Sequence, residues 1–297
     1  MGIRFETHDA GEVKLNLALS GDPSKPLIIC LHGFPEYWAA WAEVMAELAD
    51  DYFLVAPDQR GFNLSSKPLG VDAYQTKHMV ADLFSIAQRY SPTRPFILAG
   101  HDWGASVAYA FAMSHPKRLS HLVIANGVHP LCFQRAIFID KEQRLASQYM
   151  NRLRATDAEE ILSENGYGRL IRMVEGFSVA DFLSSEMRDG YLRAWRQEGA
   201  LTAMLNWYRA SPIIVPEPGE APAGRSILDL PHENFVIAMP HLLIWGEEDQ
   251  ALRPSSIMGL DTFANNLRIE RLKGASHWVL HEKPRAVAAA MRAFLKA

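Results

Sequence analysis

The segment Phe96-Ile97-Leu98-Ala99-Gly100-His101-Asp102-Trp103-Gly104-Ala105-Ser106 holds the most chemically suggestive residue of the chain. Small residues flank Asp102 where an apolar strand pattern gives way to a helical one. Glycines relieve crowding at such a sharp turn, so the central side chain can project above the end of a sheet. A carboxylate there is ionised near pH 7 and can attack carbon without a base. The same Asp can also be read as the cap of the following helix. Other signals are poor. Gly166-Tyr167-Gly168 lacks the third glycine of a dinucleotide fingerprint, no phosphate-binding loop occurs, and the remaining histidines lack metal-site spacing.

An attacking side chain needs rigid elements beneath it. Leu27 to Leu31 is a continuous apolar run, as expected for a parallel strand covered on both faces. A helical pattern follows over Trp38 to Leu48, then a strand over Phe53 to Ala56 and a helix over His78 to Tyr90. Phe96 to Ala99 repeats the strand signature, a small-residue helix follows from about Ala105 to Met113, and His121 to Ala125 closes the series. Such alternation implies a parallel sheet with helices on both faces. After Gly127 the rhythm stops, and helical patterns fill Gln134 to Arg154, Ala158 to Ile171 and Val179 to Tyr208. The proline-rich Pro212 to Pro231 reads as an irregular connection. The α/β rhythm resumes with Leu242 to Trp245, a helical Pro254 to Phe263, Leu267 to Leu272 and a helix from Pro284. The expected organisation is an α/β core from 1–129 and 236–297, interrupted by a helical cap over 130–235.

Four segments in this order carry a family resemblance. His32-Gly33-Phe34-Pro35-Glu36 follows the first buried strand, Asp102 sits at its tight turn, Trp245-Gly246-Glu247-Glu248-Asp249 follows a later strand, and Gly274-Ala275-Ser276-His277-Trp278 forms a loop. The chain resembles, over essentially its full length, α/β-hydrolases of the epoxide hydrolase and haloalkane dehalogenase branch. The resemblance implies the α/β-hydrolase fold, a mostly parallel central sheet flanked by helices, with an inserted helical cap. It implies a nucleophile at Asp102, an acid at Asp249 and a catalytic histidine at His277. Glu247 and Glu248 compete with Asp249 for the acid role, and His281 with His277 for the base. Asn126, at the end of the preceding strand, leaves the alternative acid location used by some dehalogenases empty. Backbone N–H groups of Phe34 and Trp103 are then placed for an oxyanion hole, and a cis Phe34–Pro35 bond is implied. Asp58-Gln59-Arg60-Gly61 resembles a bracing turn of the fold.

The leaving group separates the two activities. Ring opening creates an alkoxide, which a phenol with a pKa of about 10 can protonate, whereas a halide needs no proton. Leu205-Asn206-Trp207-Tyr208-Arg209 resembles the segment bearing a ring-opening tyrosine in epoxide hydrolases, which makes Tyr208 the first donor. Tyr149 is the candidate second donor, although the family position falls nearer Ala146, and core packing is an equal reading. Trp103, Phe34 and Trp207 are expected at the substrate pocket. The function implied is hydrolysis of epoxides to vicinal diols through an alkyl ester on Asp102. The alternatives are dehalogenation through the same ester, and an idle scaffold that binds a ligand under its cap.

Composition bounds the partners. The 297 residues are 48% hydrophobic and 22% charged, and 30 Lys and Arg against 34 Asp and Glu give a net charge of -4. That balance disfavours a nucleic-acid partner. Two cysteines, Cys30 and Cys132, make no disulfide framework. Met1 to Val13 lacks a signal-peptide pattern, and no apolar run reaches the roughly 20 residues of a membrane span. A cytoplasmic enzyme is expected, with no cofactor and no metal. Its expected partner is a small apolar organic substrate, with no nucleic acid or membrane, and homodimerisation is left open.

Overall fold

Short runs of branched and aromatic residues form eight strands in the computed structural model, which describes residues 2–296. They are β1 (Arg4–Asp9), β2 (Lys14–Ser20), β3 (Leu27–Leu31), β4 (Phe53–Pro57), β5 (Phe96–His101), β6 (Leu119–Ala125), β7 (His241–Gly246) and β8 (Leu267–Leu272). Their order is β1-β2-β4-β3-β5-β6-β7-β8. The first three neighbours pair antiparallel and the rest parallel, with Ile29 opposite both Val55 and Leu98. Every residue of β3, β4, β5 and β7 is buried, which is why these segments read as unbroken apolar runs. The β1–β2 hairpin adds an antiparallel edge that the sequence reading did not anticipate. Its signal was the alternation Leu15, Leu17, Leu19 of buried side chains.

Two helices, α1 (Ala42–Leu48) and α11 (Pro284–Leu295), cover one face of the sheet, while α2 (Thr76–Tyr90) and α3 (Trp103–Ser114) cover the other. The remaining core helix is the single turn α10 (Val279–Glu282). Helix α3 approaches the sheet so closely that a Cβ on Gly104 would lie 2.2 Å from the Leu31 carbonyl oxygen. The predicted helix over Pro254 to Phe263 is instead two 3-10 turns, Pro254–Ile257 and Leu260–Thr262. Met258 is extended and Gly259 left-handed between them, which breaks the α pattern.

Between β6 and β7 the chain is helical: α4 (Pro130–Ile139), α5 (Lys141–Ala146), α6 (Gln148–Arg154), α7 (Ala158–Gly176), α8 (Ser185–Trp195) and α9 (Ala200–Ala210). The pattern read as one helix over Gln134 to Arg154 is three. Extended Asp140 caps α5 by accepting from Glu142 N–H, and Ser147 separates α5 from α6. The long pattern over Val179 to Tyr208 breaks at left-handed Gly199. Helix α7 kinks at Glu164 to Tyr167, where Gly166 sits, and the Tyr167 hydroxyl donates to the Trp195 carbonyl (3.2 Å).

This layer is fastened to the core by buried polar contacts. Indole N–H groups of Trp195, Trp207 and Trp278 donate to the carbonyls of Pro35 (2.6 Å), Arg60 (3.1 Å) and Val174 (2.7 Å). Glu282 accepts from Ser276 N–H (2.6 Å) and from the Ser178 hydroxyl (2.7 Å), joining the His277 loop to the segment after α7. The turn after β4 is braced: Asp58 accepts from Trp38 N–H and from the amides of Asn16 and Asn63, and buried Arg60 forms a two-pronged pair with Asp82 (2.6 and 2.7 Å). Among the described residues no helix is long and apolar enough to cross a membrane.

Candidate active site

Asp102 stands at the junction of β5 and α3 with φ 49° and ψ −119°. This backbone conformation is costly for a residue with a Cβ, and it persists because strand and helix are both fixed by packing. The turn lifts the carboxylate above the sheet against the loop after β3. There the Phe34 N–H donates to Asp102 Oδ1 at 2.7 Å. Gly33 permits that approach, because a Cβ in its place would lie 2.3 Å from Oδ1. The peptide plane is set from its other side by His32, whose Nδ1 lies 2.8 Å from the Gly33 carbonyl oxygen, while its Nε2 accepts from Gln59 N–H (3.1 Å). Burial brings the His32 pKa down to about 4, so it holds this place as a neutral ring. Trp103, first residue of α3, belongs to a helix start whose N–H groups have no acceptor within the helix. The Phe34–Pro35 bond is cis.

The loop after β8 brings His277 to the other carboxylate oxygen, with Nε2 3.5 Å from Asp102 Oδ2. Its Nδ1–H donates to Asp249 Oδ2 at 2.8 Å. Asp249 is buried, whereas Glu247 and Glu248 are exposed. Its Oδ1 accepts from the N–H groups of Ala251 (2.8 Å) and Leu252 (2.9 Å). Asn126, left-handed at the end of β6, donates from its amide to Asp249 Oδ2 (2.8 Å) and accepts from Gly246 N–H (2.8 Å). Burial alone would raise the Asp249 pKa, but His277 and these donors bring it below its ordinary value. Burial alone would lower that of His277, but the carboxylates of Asp249 and Asp102 hold it well above 6.5.

A second polar cluster lies behind His277. His101 bridges Glu36 Oε2 (3.1 Å) and the carbonyl of His277 (2.8 Å). Glu36 Oε1 also accepts from the Tyr191 hydroxyl (2.9 Å) and lies 2.6 Å from His281 Nε2. Burial opposes the Glu36 charge, but its hydrogen bonds to His101 and His281 keep its pKa well below the usual range. His281 therefore belongs to this brace and not to the Asp102 face. Glu36 carries no role that its motif alone suggests, and from sequence Asn126 is only an empty acid location. Nothing in either residue's neighbours along the chain announces partners that lie far away in sequence.

Above Asp102 lies a cavity of about 270 Å³ whose wall includes Asp102, Trp103, Tyr149 and Tyr208. Helices α6 and α9 thus bring both candidate phenols to the carboxylate side of one cavity. The rings of Tyr149 and Tyr208 are 6.1 Å apart, and Tyr208 meets Phe34 and Trp103 edge-on at 5.0 Å each. Burial first, and the nearby carboxylates after it, push both phenol pKa values up, so both stay protonated at neutral pH. Tyr149, one helical turn from Ala146, lines this cavity and its ring also packs against the hydrophobic core. Phe34 and Trp207, expected at the pocket wall, do not line the cavity. Phe34 is packed beneath Tyr208, and Trp207 is buried against Phe62 with its indole bonded to Arg60. Among the described residues no group of three His, Cys, Asp or Glu side chains could hold a metal ion.

Residues 26–284 match the alpha/beta hydrolase fold family. The AB hydrolase superfamily protein YfhM of Bacillus subtilis is 33% identical over 297 residues, covering 99% of each chain. A solved structure described among novel epoxide hydrolases from metagenomes of hot environments is 34% identical, with a TM-score of 0.90 over 99% of each chain. The epoxide hydrolase of Bacillus megaterium, crystallised with an inhibitor, is 30% identical, with a TM-score of 0.88 over 99% of this chain and 100% of that one. The chain belongs to the α/β-hydrolase superfamily, as an enzyme of its epoxide hydrolase-like kind.

Proposed function

We propose that this enzyme hydrolyses epoxides to vicinal diols through an ester on Asp102. The observation that carries the reading is the convergence on one cavity of a carboxylate and two protonated phenols, Tyr149 and Tyr208. Asp102 Oδ1 is engaged by Phe34 N–H, so Oδ2 is the attacking oxygen. As Oδ2 bonds to an epoxide carbon, the C–O bond of the ring breaks and its oxygen takes a proton from Tyr208 or Tyr149. Water then attacks the ester carbonyl, giving its proton to His277 Nε2 while Asp249 holds the ring by Nδ1. The tetrahedral oxyanion forms at Oδ1, where Phe34 N–H already points and the start of α3 adds Trp103 N–H. In the collapse the acyl C–O bond to the product breaks and the departing oxygen takes the proton of the newly formed carboxyl, releasing the diol and restoring the carboxylate. The phenolate regains its proton from the His277 imidazolium once the ester has formed, so the ring that takes the proton of water is neutral.

A phenol pair has work to do only when the departing oxygen needs a proton, which favours epoxide opening over loss of halide. The Phe34 side chain offers no donor to a halide. In a His277→Gln variant the ester should form and persist. Intact-mass measurement should then find an adduct equal to a whole epoxide. An alkyl adduct formed from a haloalkane with loss of halogen, with none from epoxides, would replace this reading by dehalogenation. No adduct from either panel would leave a binding scaffold.

A further inference from the structure

The cavity above Asp102 extends to one side only. Its buried wall runs through Val128, Phe133 and Leu252, and it opens at the surface beside Met113, Ile227 and Leu230, the last 51% exposed. No residue of α7, α8 or α10 lines it. On the His277 side the cavity is bounded by an aromatic ring. Phe177, at the end of α7, has its ring 5.8 Å from Tyr149 and 6.3 Å from His277. Trp195 and Tyr191 on α8 are buried and tied to Pro35 and Glu36, and the second cavity that Tyr191 lines with Tyr37 and His281 shares no wall residue with the one above Asp102. Asp102 is the one acidic or basic side chain in the cavity wall, so an anionic substituent finds no opposite charge there and a cationic one finds only the nucleophile that the reaction consumes.

We infer that the substrate class is an epoxide bearing one elongated, uncharged, apolar substituent. The substituent lies along the arm toward Ile227 and Leu230, and the unsubstituted ring carbon faces Phe177. The inference rests on the epoxide reading above. A ring carrying groups on both carbons has to drive one of them into the packed flank, and overfilling packed interiors is costly.

Three isomers test it: 1,2-epoxyoctane, trans-2,3-epoxyoctane and trans-4,5-epoxyoctane. Their common formula equalises apolar transfer, and the last two have equally substituted reacting carbons. Wild-type kcat/KM should fall about 10- to 100-fold from the 2,3 to the 4,5 isomer, with 1,2-epoxyoctane the best of the three. Phe177→Ala should recover most of that fall for the 4,5 isomer. If that variant does not fold, the wild-type ratio decides by itself. A 4,5 isomer turned over within about threefold of the 2,3 isomer would overturn the inference. Adduct formation in His277→Gln tells the two failures apart. Equal trapping of all three isomers removes only the one-sided pocket, whereas trapping of none removes epoxide opening with it.

Discussion

Replacing Asp249 by Asn separates the two half-reactions. The carboxylate it removes is buried and bonded to His277 Nδ1 at 2.8 Å, and it does not contact Asp102. Its charge is the largest single attraction holding the His277 pKa up against burial, so the amide should bring that pKa down. An amide also changes the hydrogen-bond logic. Its NH2 group would face His277 Nδ1 and the Asn126 amide, turning the imidazole to the tautomer whose Nε2 carries the proton and cannot accept one from water. Ester hydrolysis should therefore slow by about 10³- to 10⁴-fold, as expected when a base loses its orienting carboxylate. Attack by Asp102 needs no base and should change by less than about tenfold. Rapid-quench intact-mass kinetics with excess 1,2-epoxyoctane reads both rates, and a thermal melt checks the fold. Hydrolysis within tenfold of wild type, or an equal loss in both steps by a folded variant, would refute the assigned roles.

Further outcomes follow from the same geometry. Tyr208→Phe and Tyr149→Phe should each lower the ring-opening rate by about 10² and the double variant by more, with ester hydrolysis unchanged in single-turnover assays. Gly33→Ala brings a methyl against Asp102 Oδ1 and disturbs the Phe34 N–H, so ester hydrolysis should fall by about 10²- to 10³-fold. The raised His277 pKa means its contribution to stability is full below its unfolded value of 6.5 and is lost as pH rises through its folded value. Wild-type Tm should thus decline as pH is raised from about 6.5, and Asp249→Asn should flatten that decline. Asp82→Asn leaves the Arg60 guanidinium buried without its carboxylate and should cost about 3–5 kcal/mol in urea unfolding.

Asp102, Asp249 and His277 were legible because each sits in a short segment whose glycine or strand end has a local cause. Gly33 is the clearest case, since the space it vacates is occupied by the nucleophile. Tyr149 stands one helical turn beyond Ala146, where the family position falls. Between the two, Ser147 ends α5 and begins α6, and the cavity wall holds Tyr149 and not Ala146. Trp207 was misplaced. Neighbours in a helix point to different sides, and only packing decides that Tyr208 meets the cavity while Trp207 meets Phe62. The Glu36 cluster and the Asn126 amide were invisible as a site because their partners come from β5, α8, α10 and the turn after β7.

His277 lies between two carboxylates, and in the proposed reaction only one of them is permanent. At rest both charges favour the imidazolium, a form that cannot take a proton from water. Ester formation turns Asp102 from an anion into a neutral group. The ring then loses one of its two supports, and its proton can replace the one the phenol gave to the departing oxygen. The neutral imidazole that results is a base, and it exists only while there is an ester to cut. Hydrolysis returns a proton to His277 and a charge to Asp102 together, so the resting state is restored with every proton accounted for. The timing of water activation is thus carried by the charge of the nucleophile itself.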